Sequence, residues 1–178
     1  MNKAFFFDRD GVINVRKMDD YVMSVQEMQL FPEIPVILKI LKENNFLTFV
    51  VTNQQGVGKG LMSENELLDI HNFMQDTLEV QCGFKFDDIE YCTDLKESAS
   101  FRRKPNPGMI LELAEKWNID LKNSYIIGDT ESDIIAGEKA GLKTILLSVE
   151  KIKTVPDFCV SNHVELIKII NHIVGAQI

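Results

Sequence analysis

Short apolar stretches rich in Phe, Val and Ile recur along the chain, separated by longer stretches of helical period. Apolar runs at Ala4–Phe7, Phe46–Thr52, Ile89–Thr93, Tyr125–Gly128 and Thr144–Leu147, with a weaker one at Phe158–Val160, predict six strands. Most are continuous rather than alternating, as strands are when helices cover both faces of their sheet. Strand and helix alternate, which predicts an α/β fold built on a three-layer parallel sheet.

The intervening stretches carry helix start and stop signals. Ser63 and Glu66 form a capping box for a helix through Leu67, Ile70, Phe73, Met74 and Leu78 that Gly83 ends. Asn106 before Pro107 reads as an N-cap followed by proline at the first helical position, leading through Ile110, Leu113, Ala114 and Trp117. Thr130 is placed to cap a helix whose first turn holds Glu131 and Asp133, where negative charge suits the dipole. Asn162 and Glu165 open a last helix that Gly175 closes. Arg9 to Phe31 has no clear period and is expected to be a long loop with room for a small hairpin, the kind that shapes active sites. No repeat, low-complexity tract or Gly/Ser linker divides the chain, so residues 1–178 are expected to form one domain.

Charge narrows the function. The chain has 178 residues with 27 Asp+Glu against 19 Lys+Arg, a formal net charge of −8, which argues against a face built to neutralise nucleic-acid phosphates. The longest early apolar run, Ala4–Phe7, is too short for a signal segment or a membrane span, so a cytoplasmic protein is expected. Cys82, Cys92 and Cys159 are scattered and odd in number, and read as reduced, mostly buried thiols.

In a doubly wound sheet, ligands bind beyond the carboxyl ends of the strands. Three ends carry chemistry: Asp8-Arg9-Asp10-Gly11 after the first strand, Thr52-Asn53 after the second, and Gly128-Asp129 with Asp133 after the fourth. Alternation puts Asp8 and Asp10 on one side and sends Arg9 the other way. Two carboxylates sharing a small volume repel, so a divalent cation is their natural partner, with Asp129 as a third hard oxygen donor of the kind Mg²⁺ takes.

The segments DRDGVI (8–13), VVTNQQGVGKG (50–60), RRKPNPGM (102–109) and IIGDTESDIIAGEKAG (126–141) resemble, in order, the four motifs of the haloacid dehalogenase superfamily of phosphohydrolases. The resemblance covers about residues 4 to 148 and implies a Rossmann-like sheet. Within the superfamily the motifs are similar to the bisphosphate and histidinol-phosphate phosphatase branch. The loop with Gly56, Gly58, Lys59 and Gly60 looks more like that of enzymes acting on heptose bisphosphate than that of histidinol-phosphate phosphatases.

The resemblance implies a mechanism. Asp8 would attack phosphorus to form an aspartyl phosphate, and Asp10 would protonate the leaving alkoxide and then deprotonate water. Thr52 and the backbone of Asn53 would hold phosphoryl oxygens, and Lys104 would offset their charge. Mg²⁺ would bind the Asp8 carboxylate, the Asp10 carbonyl and Asp129, with Asp133 supporting by orienting Lys104 or a metal-bound water. Relatives in this branch usually carry a Cys/His zinc loop before the R-K-P segment. Here only Cys92 remains, and His71, His163 and His172 lie elsewhere in the sequence, so no structural zinc is expected. No interval between motifs is long enough for a large cap domain, so specificity falls to Lys59, Arg102 and Arg103 as cations for a second phosphate or a hydroxylated body.

The implied partner is a small phosphorylated sugar, with D-glycero-D-manno-heptose 1,7-bisphosphate losing its C7 phosphate as the leading candidate. A monomer is expected, with no nucleic acid and no membrane as partner. The alternatives are a histidinol-phosphate phosphatase; a polynucleotide 3′-phosphatase, disfavoured by charge; and a phospho-accepting signalling domain, disfavoured because Asp10 would speed hydrolysis of the phospho-Asp. A nucleotide-binding module on Gly56, Gly58 and Gly60 fails on glycine spacing.

Overall fold

Six parallel strands lie in the order β3-β2-β1-β4-β5-β6, so the first strand sits at the centre and the chain builds outward from it in both directions. The computed structural model describes residues 1–17 and 20–175. The strands are β1 (Ala4–Phe7), β2 (Leu47–Asn53), β3 (Asp88–Cys92), β4 (Tyr125–Gly128), β5 (Lys143–Leu147) and β6 (Phe158–Val160). The helices are α1 (Ile34–Glu43), α2 (Gln55–Gly58, a single turn), α3 (Glu64–Cys82), α4 (Gly108–Trp117), α5 (Glu131–Ala140) and α6 (His163–Gly175). All six strands fall where the apolar runs predict them, within a residue. None of these helices is long and apolar enough to cross a membrane.

Alternation along each strand sorts the core into two layers. Phe5, Phe7, Val50, Ile127 and Ile145 face α1, α3 and α6, whereas Ala4, Phe6, Phe49, Val51 and Ile126 face α4 and α5. Both layers hold fully buried side chains, which is why the strands read as unbroken apolar runs. Phe5 stacks on Tyr125 at 4.8 Å between ring centroids and meets Phe46 edge-on at 5.1 Å, adding aromatic contact to simple burial. At the amino ends of the strands two matching locks hold the chain. The Thr48 backbone N–H donates to Asp87 at 2.7 Å, and the Thr144 N–H donates to Asp157 at 2.7 Å. Lys42 closes on Asp87 from α1.

Ser63 and Glu66 make the predicted reciprocal capping box on α3, and Gly83 ends that helix in the left-handed conformation at φ 81°. Asn162 accepts from the Glu165 N–H at the start of α6. Some expectations are corrected. Asn106 does not cap α4: its amide donates to the Ser100 carbonyl, its oxygen accepts from Lys139, and Pro107 takes the cap position. Phe73 lies on the outer side of α3, 39% exposed, outside the core. Among the cysteines only Cys92 is buried; Cys82 is half-buried and Cys159 exposed.

Among its described residues the loop after β1 forms no regular hairpin. Val15 N–H donates to Gln29 and Phe31 N–H to Ile13, at 2.8 and 3.0 Å, joining its two ends by an antiparallel bridge at Asn14 and Leu30. Helix α1 was not foreseen in the pattern, although Ile34, Ile37, Leu38 and Leu41 mark one buried face at helical spacing. Pro32 and Pro35 mask that period from a reading that treats proline as a breaker; Pro35 sits in the first turn, where its missing N–H is harmless.

Candidate active site

Strand order reverses at β1, so the crevice between β1 and β4 opens at the carboxyl ends of both strands. Asp8 continues β1 and is tied to β4 through its N–H, which donates to the Ile127 carbonyl at 2.9 Å. Its side chain points to the α4/α5 side. There Lys104, from the loop before α4, donates to Asp8 Oδ1 at 2.8 Å, to the Val51 carbonyl at 2.8 Å and to Asp133 Oδ1 at 2.6 Å. Asp8, Lys104 and Asp133 are 6%, 3% and 1% exposed. Burial works against the Lys104 ammonium, but Asp133 and Asp8 outweigh it and lift its pKa well above the ordinary lysine value, so it stays charged. Asp133 Oδ2 in turn accepts from the N–H and hydroxyl of Thr130 at 3.1 and 2.6 Å. Gly128 makes this approach possible, because a Cβ there would lie 2.1 Å from the Cβ of Asp133.

Arg9 points the other way, as alternation requires, and is fully buried against α3. One terminal nitrogen donates to His71 Nε2 at 3.1 Å, and the other reaches the Asp10 carboxylate at 3.0 and 3.2 Å. A guanidinium only donates, so His71 accepts through Nε2 and is neutral. Burial, reinforced by Arg9, drives the His71 pKa down to about 3. Asp10 also accepts from Asn14 Nδ2 and Gln54 Nε2, each at 2.9 Å. Burial would raise its pKa, but the charge of Arg9 and these donors prevail and hold the carboxyl below the usual range.

Asp129 follows β4 and approaches the same crevice. Ligand oxygens of Asp8, Asp129 and Asp133 lie within 4.8 Å of one another. Gly11, at φ 97°, carries the chain past Asp129 so closely that a Cβ would sit 1.9 Å from its Oδ2. Burial, with the charge of Asp133 and Asp10 on Asp8 and of Asp8 and Asp133 on Asp129, pushes both carboxyls above the ordinary range. The arrangement thus lacks positive charge. Arg16 supplies some: it meets Asp129 Oδ1 at 2.8 Å, the Asp10 carbonyl at 2.9 Å and Asp8 Oδ2 at 3.7 Å. Hard oxygen donors converging on a cationic group, with a carboxylate pair destabilised as anions, fit a divalent ion such as Mg²⁺.

Asp8, Asp10, Thr52, Asn53, Lys59, Lys104 and Asp133 all line one cavity of about 460 Å³, with Arg16, Lys17, Asp20 and Tyr21 on its wall. Thr52 is buried and its hydroxyl accepts from Gln54 at 2.8 Å, leaving its proton free to donate. The Asn53 side chain braces Lys104, exchanging two 3.0 Å hydrogen bonds with that residue's backbone. Lys59 reaches the Tyr21 hydroxyl at 3.0 Å, which Gln55 also approaches at 2.9 Å. Arg102 and Arg103 do not line this cavity. Arg102 is engaged by Glu90 and, at 2.9 Å, by Glu112; Arg103 donates to the Asp94 carbonyl. Opposite charge on β3 and α4 has drawn Arg102 outward. The sequence reading assigned no site role to Arg16, Lys17, Asp20 and Tyr21 on the cavity wall, nor to Gln54, Asn14 and Arg9, which bond Asp10 from behind it. Gln54, beside Thr52-Asn53, and Arg9, inside the D-R-D triplet, sit within motifs that pointed to them; Arg16, in an aperiodic loop, left no such trace.

A doubly wound sheet with Asp8 held against Lys104 at its central strand end, and Asp129 and Asp133 arriving from the next strand, is that of a haloacid dehalogenase-like hydrolase. Residues 101–157 match the HAD-hydrolase-like family model. The chain is 38% identical over 146 residues, 78% of its length and 79% of the relative's, to a D-glycero-beta-D-manno-heptose-1,7-bisphosphate 7-phosphatase of Rhodopseudomonas palustris. It is 36% identical to a D-glycero-alpha-D-manno-heptose-1,7-bisphosphate 7-phosphatase of Burkholderia mallei, covering 84% and 82% of the two chains. Among solved structures it is similar to the D,D-heptose 1,7-bisphosphate phosphatase of B. bronchiseptica complexed with magnesium and phosphate, with TM-score 0.81 and 26% identity over 93% of this chain and 98% of that one. The chain belongs to the family of D-glycero-D-manno-heptose-1,7-bisphosphate 7-phosphatases.

Proposed function

We propose that this protein is a magnesium-dependent phosphatase that removes the C7 phosphate of D-glycero-D-manno-heptose 1,7-bisphosphate through an aspartyl phosphate on Asp8. The observation that carries the reading is the contact of Asp8 with Lys104 at the floor of the cavity, 2.8 Å apart and both buried, with Asp129 beside them. The names of the relatives support the substrate, and the magnesium and phosphate bound by the B. bronchiseptica enzyme support the cofactor.

Lys104 holds the Asp8 carboxylate through Oδ1, which fixes it for attack on phosphorus. Forming the covalent ester splits one difficult displacement into two easier ones. The Lys104 ammonium and the Thr52 hydroxyl offset charge on the phosphoryl oxygens, and Asn53 keeps Lys104 in place. Magnesium, held by the Asp8 carboxylate, the Asp10 carbonyl and Asp129, would screen the nucleophile from the anionic substrate and polarise the phosphoryl group. Asp10 rests as a carboxylate, the form that takes a proton from the attacking water in the second step. In the first step Asp10 would pass a proton, taken up with the substrate, to the leaving alkoxide. Lys59, on the cavity wall, would hold the second phosphate.

The test is turnover of heptose bisphosphate, histidinol phosphate, an aryl phosphate and a 3′-phosphorylated oligonucleotide by wild type, Asp8→Asn and Lys59→Ala. Heptose bisphosphate should be preferred, Asp8→Asn should be inactive, and Lys59→Ala should raise KM for the bisphosphate more than for the aryl phosphate. Turnover by Asp8→Asn, or preference for the oligonucleotide, would overturn the reading.

A further inference from the structure

Arg16 lies in the aperiodic loop after β1, and no motif or proposed catalytic role accounts for it. Its NH2 group stands among three oxygens: Asp129 Oδ1 at 2.8 Å, the Asp10 carbonyl at 2.9 Å and Asp8 Oδ2 at 3.7 Å, with Nε a further 3.2 Å from that carbonyl. These are the three groups assigned above to magnesium. The side chain is 39% exposed, so it reaches in from the rim and can withdraw along the cavity wall without disturbing the core. Mg²⁺ sits about 2.1 Å from its oxygen ligands, so an ion bound to these three would claim the space the guanidinium fills. Two cations cannot share it.

We propose that Arg16 is an internal competitor of the divalent cation: it neutralises Asp8 and Asp129, holds the Asp10 carbonyl between them, and must leave for the ion to bind. The inference rests on the magnesium reading of the preceding section. Arg16 is thus a positioning residue for these oxygens. Without it, Asp8 and Asp129 would face each other with only the distant side of Asp8 paired, to Lys104. With it, the ion must displace a hydrogen-bonded cation, which weakens apparent metal affinity and sets the concentration at which the enzyme is loaded.

Lys17 provides the control. It lines the same cavity, but its amine is taken up by Asp20 at 3.1 Å and Glu27 at 2.9 Å, and it does not reach the three oxygens. Removing either residue subtracts one positive charge from the cavity, and only Arg16 vacates the site. The experiment measures Mn²⁺ affinity by calorimetry and by electron paramagnetic resonance, for wild type, Arg16→Ala, Arg16→Gln and Lys17→Ala. Melting temperatures are measured in chelator and in saturating Mg²⁺. The Arg16 variants should bind Mn²⁺ about tenfold more tightly, equivalent to about 1.4 kcal/mol. They should also melt lower than wild type in chelator and gain more from Mg²⁺. Lys17→Ala should shift affinity much less. Unchanged or weaker binding by both Arg16 variants, or an equal gain in Lys17→Ala, would overturn the proposal. Arg16→Gln is uncharged and too short to reach the three oxygens but keeps a polar side chain at the rim, and serves if the alanine variant does not fold. If wild type binds no Mn²⁺ and hydrolyses no phosphomonoester, the magnesium reading fails; if it does both and the Arg16 variants bind no more tightly, only the Arg16 proposal fails.

Discussion

Replacing Lys104 by methionine keeps the unbranched stem of the side chain and deletes the ammonium that joins Asp8 to Asp133. All three groups are almost wholly buried, so neither carboxylate can recover the lost partner from water. Breaking a buried pair by removing one member costs about 3–5 kcal/mol, because the other is left as an uncompensated buried charge. In a chain of this size each kcal/mol moves the melting temperature by about 2–4 °C, so a fall of about 6–20 °C is expected. The loss should depend on pH. Burial raises the Asp8 pKa and Lys104 opposes that rise, so its removal lets the carboxyl climb further. A carboxyl whose folded pKa lies above its unfolded value contributes stability below the unfolded pKa, and that stability is lost as pH rises through the folded value. Lys104→Met should therefore be closer to wild type at pH 5 than at pH 8, measured by calorimetry in chelator so that no divalent ion substitutes for the ammonium. Adding Asp8→Asn to Lys104→Met removes one stranded charge and should recover part of the loss. A deficit under 1 kcal/mol, on the scale of an exposed pair, or a deficit equal at both pH values would refute the view that Lys104 neutralises buried carboxylates.

Gly11→Ala should fold but lose divalent-ion affinity and turnover together, since a Cβ would strike Asp129 and the backbone at φ 97° suits glycine; metal titration with unchanged affinity would count against the crowding described at that turn. His71→Gln tests the buried histidine. Its folded pKa of about 3 lies below the unfolded value of about 6.5, so the unfolded chain takes up a proton that the folded chain refuses, and wild-type stability should fall with decreasing pH across that window, by up to about 1.4 kcal/mol per unit from this residue. Urea unfolding from pH 7 to pH 4 should give a shallower acid limb for the glutamine variant, and parallel limbs would show that His71 does not contribute.

The sheet was legible because β1, β2 and β4 are buried on both faces and so cannot hide their apolar runs among polar residues. Capping signals were reliable where the side chain had no better partner, as at Ser63, and failed at Asn106, whose amide finds Ser100 and Lys139 instead. The prolines that begin α1 concealed its period. At the site, Asp8, Lys104, Asp129 and Asp133 were readable because motif order reports which strand end each follows. The ion pairs of Arg102 were not readable, because sequence proximity to Lys104 says nothing of Glu90 and Glu112, which meet it only after β3 and α4 have packed. Arg16 and Tyr21 depend on how a loop without period folds back across the crevice, which local pattern does not encode.

The paired Thr–Asp clasps at Thr48 with Asp87 and Thr144 with Asp157 fasten the far end of the sheet, a full strand length from Asp8. The molecule is in this sense divided between a fixed hem and a reactive brim. Substitutions that harden the hem can raise resistance to heat without touching hydrolysis, whereas the brim can be retailored for other phosphate esters while the hem carries the cost of that change.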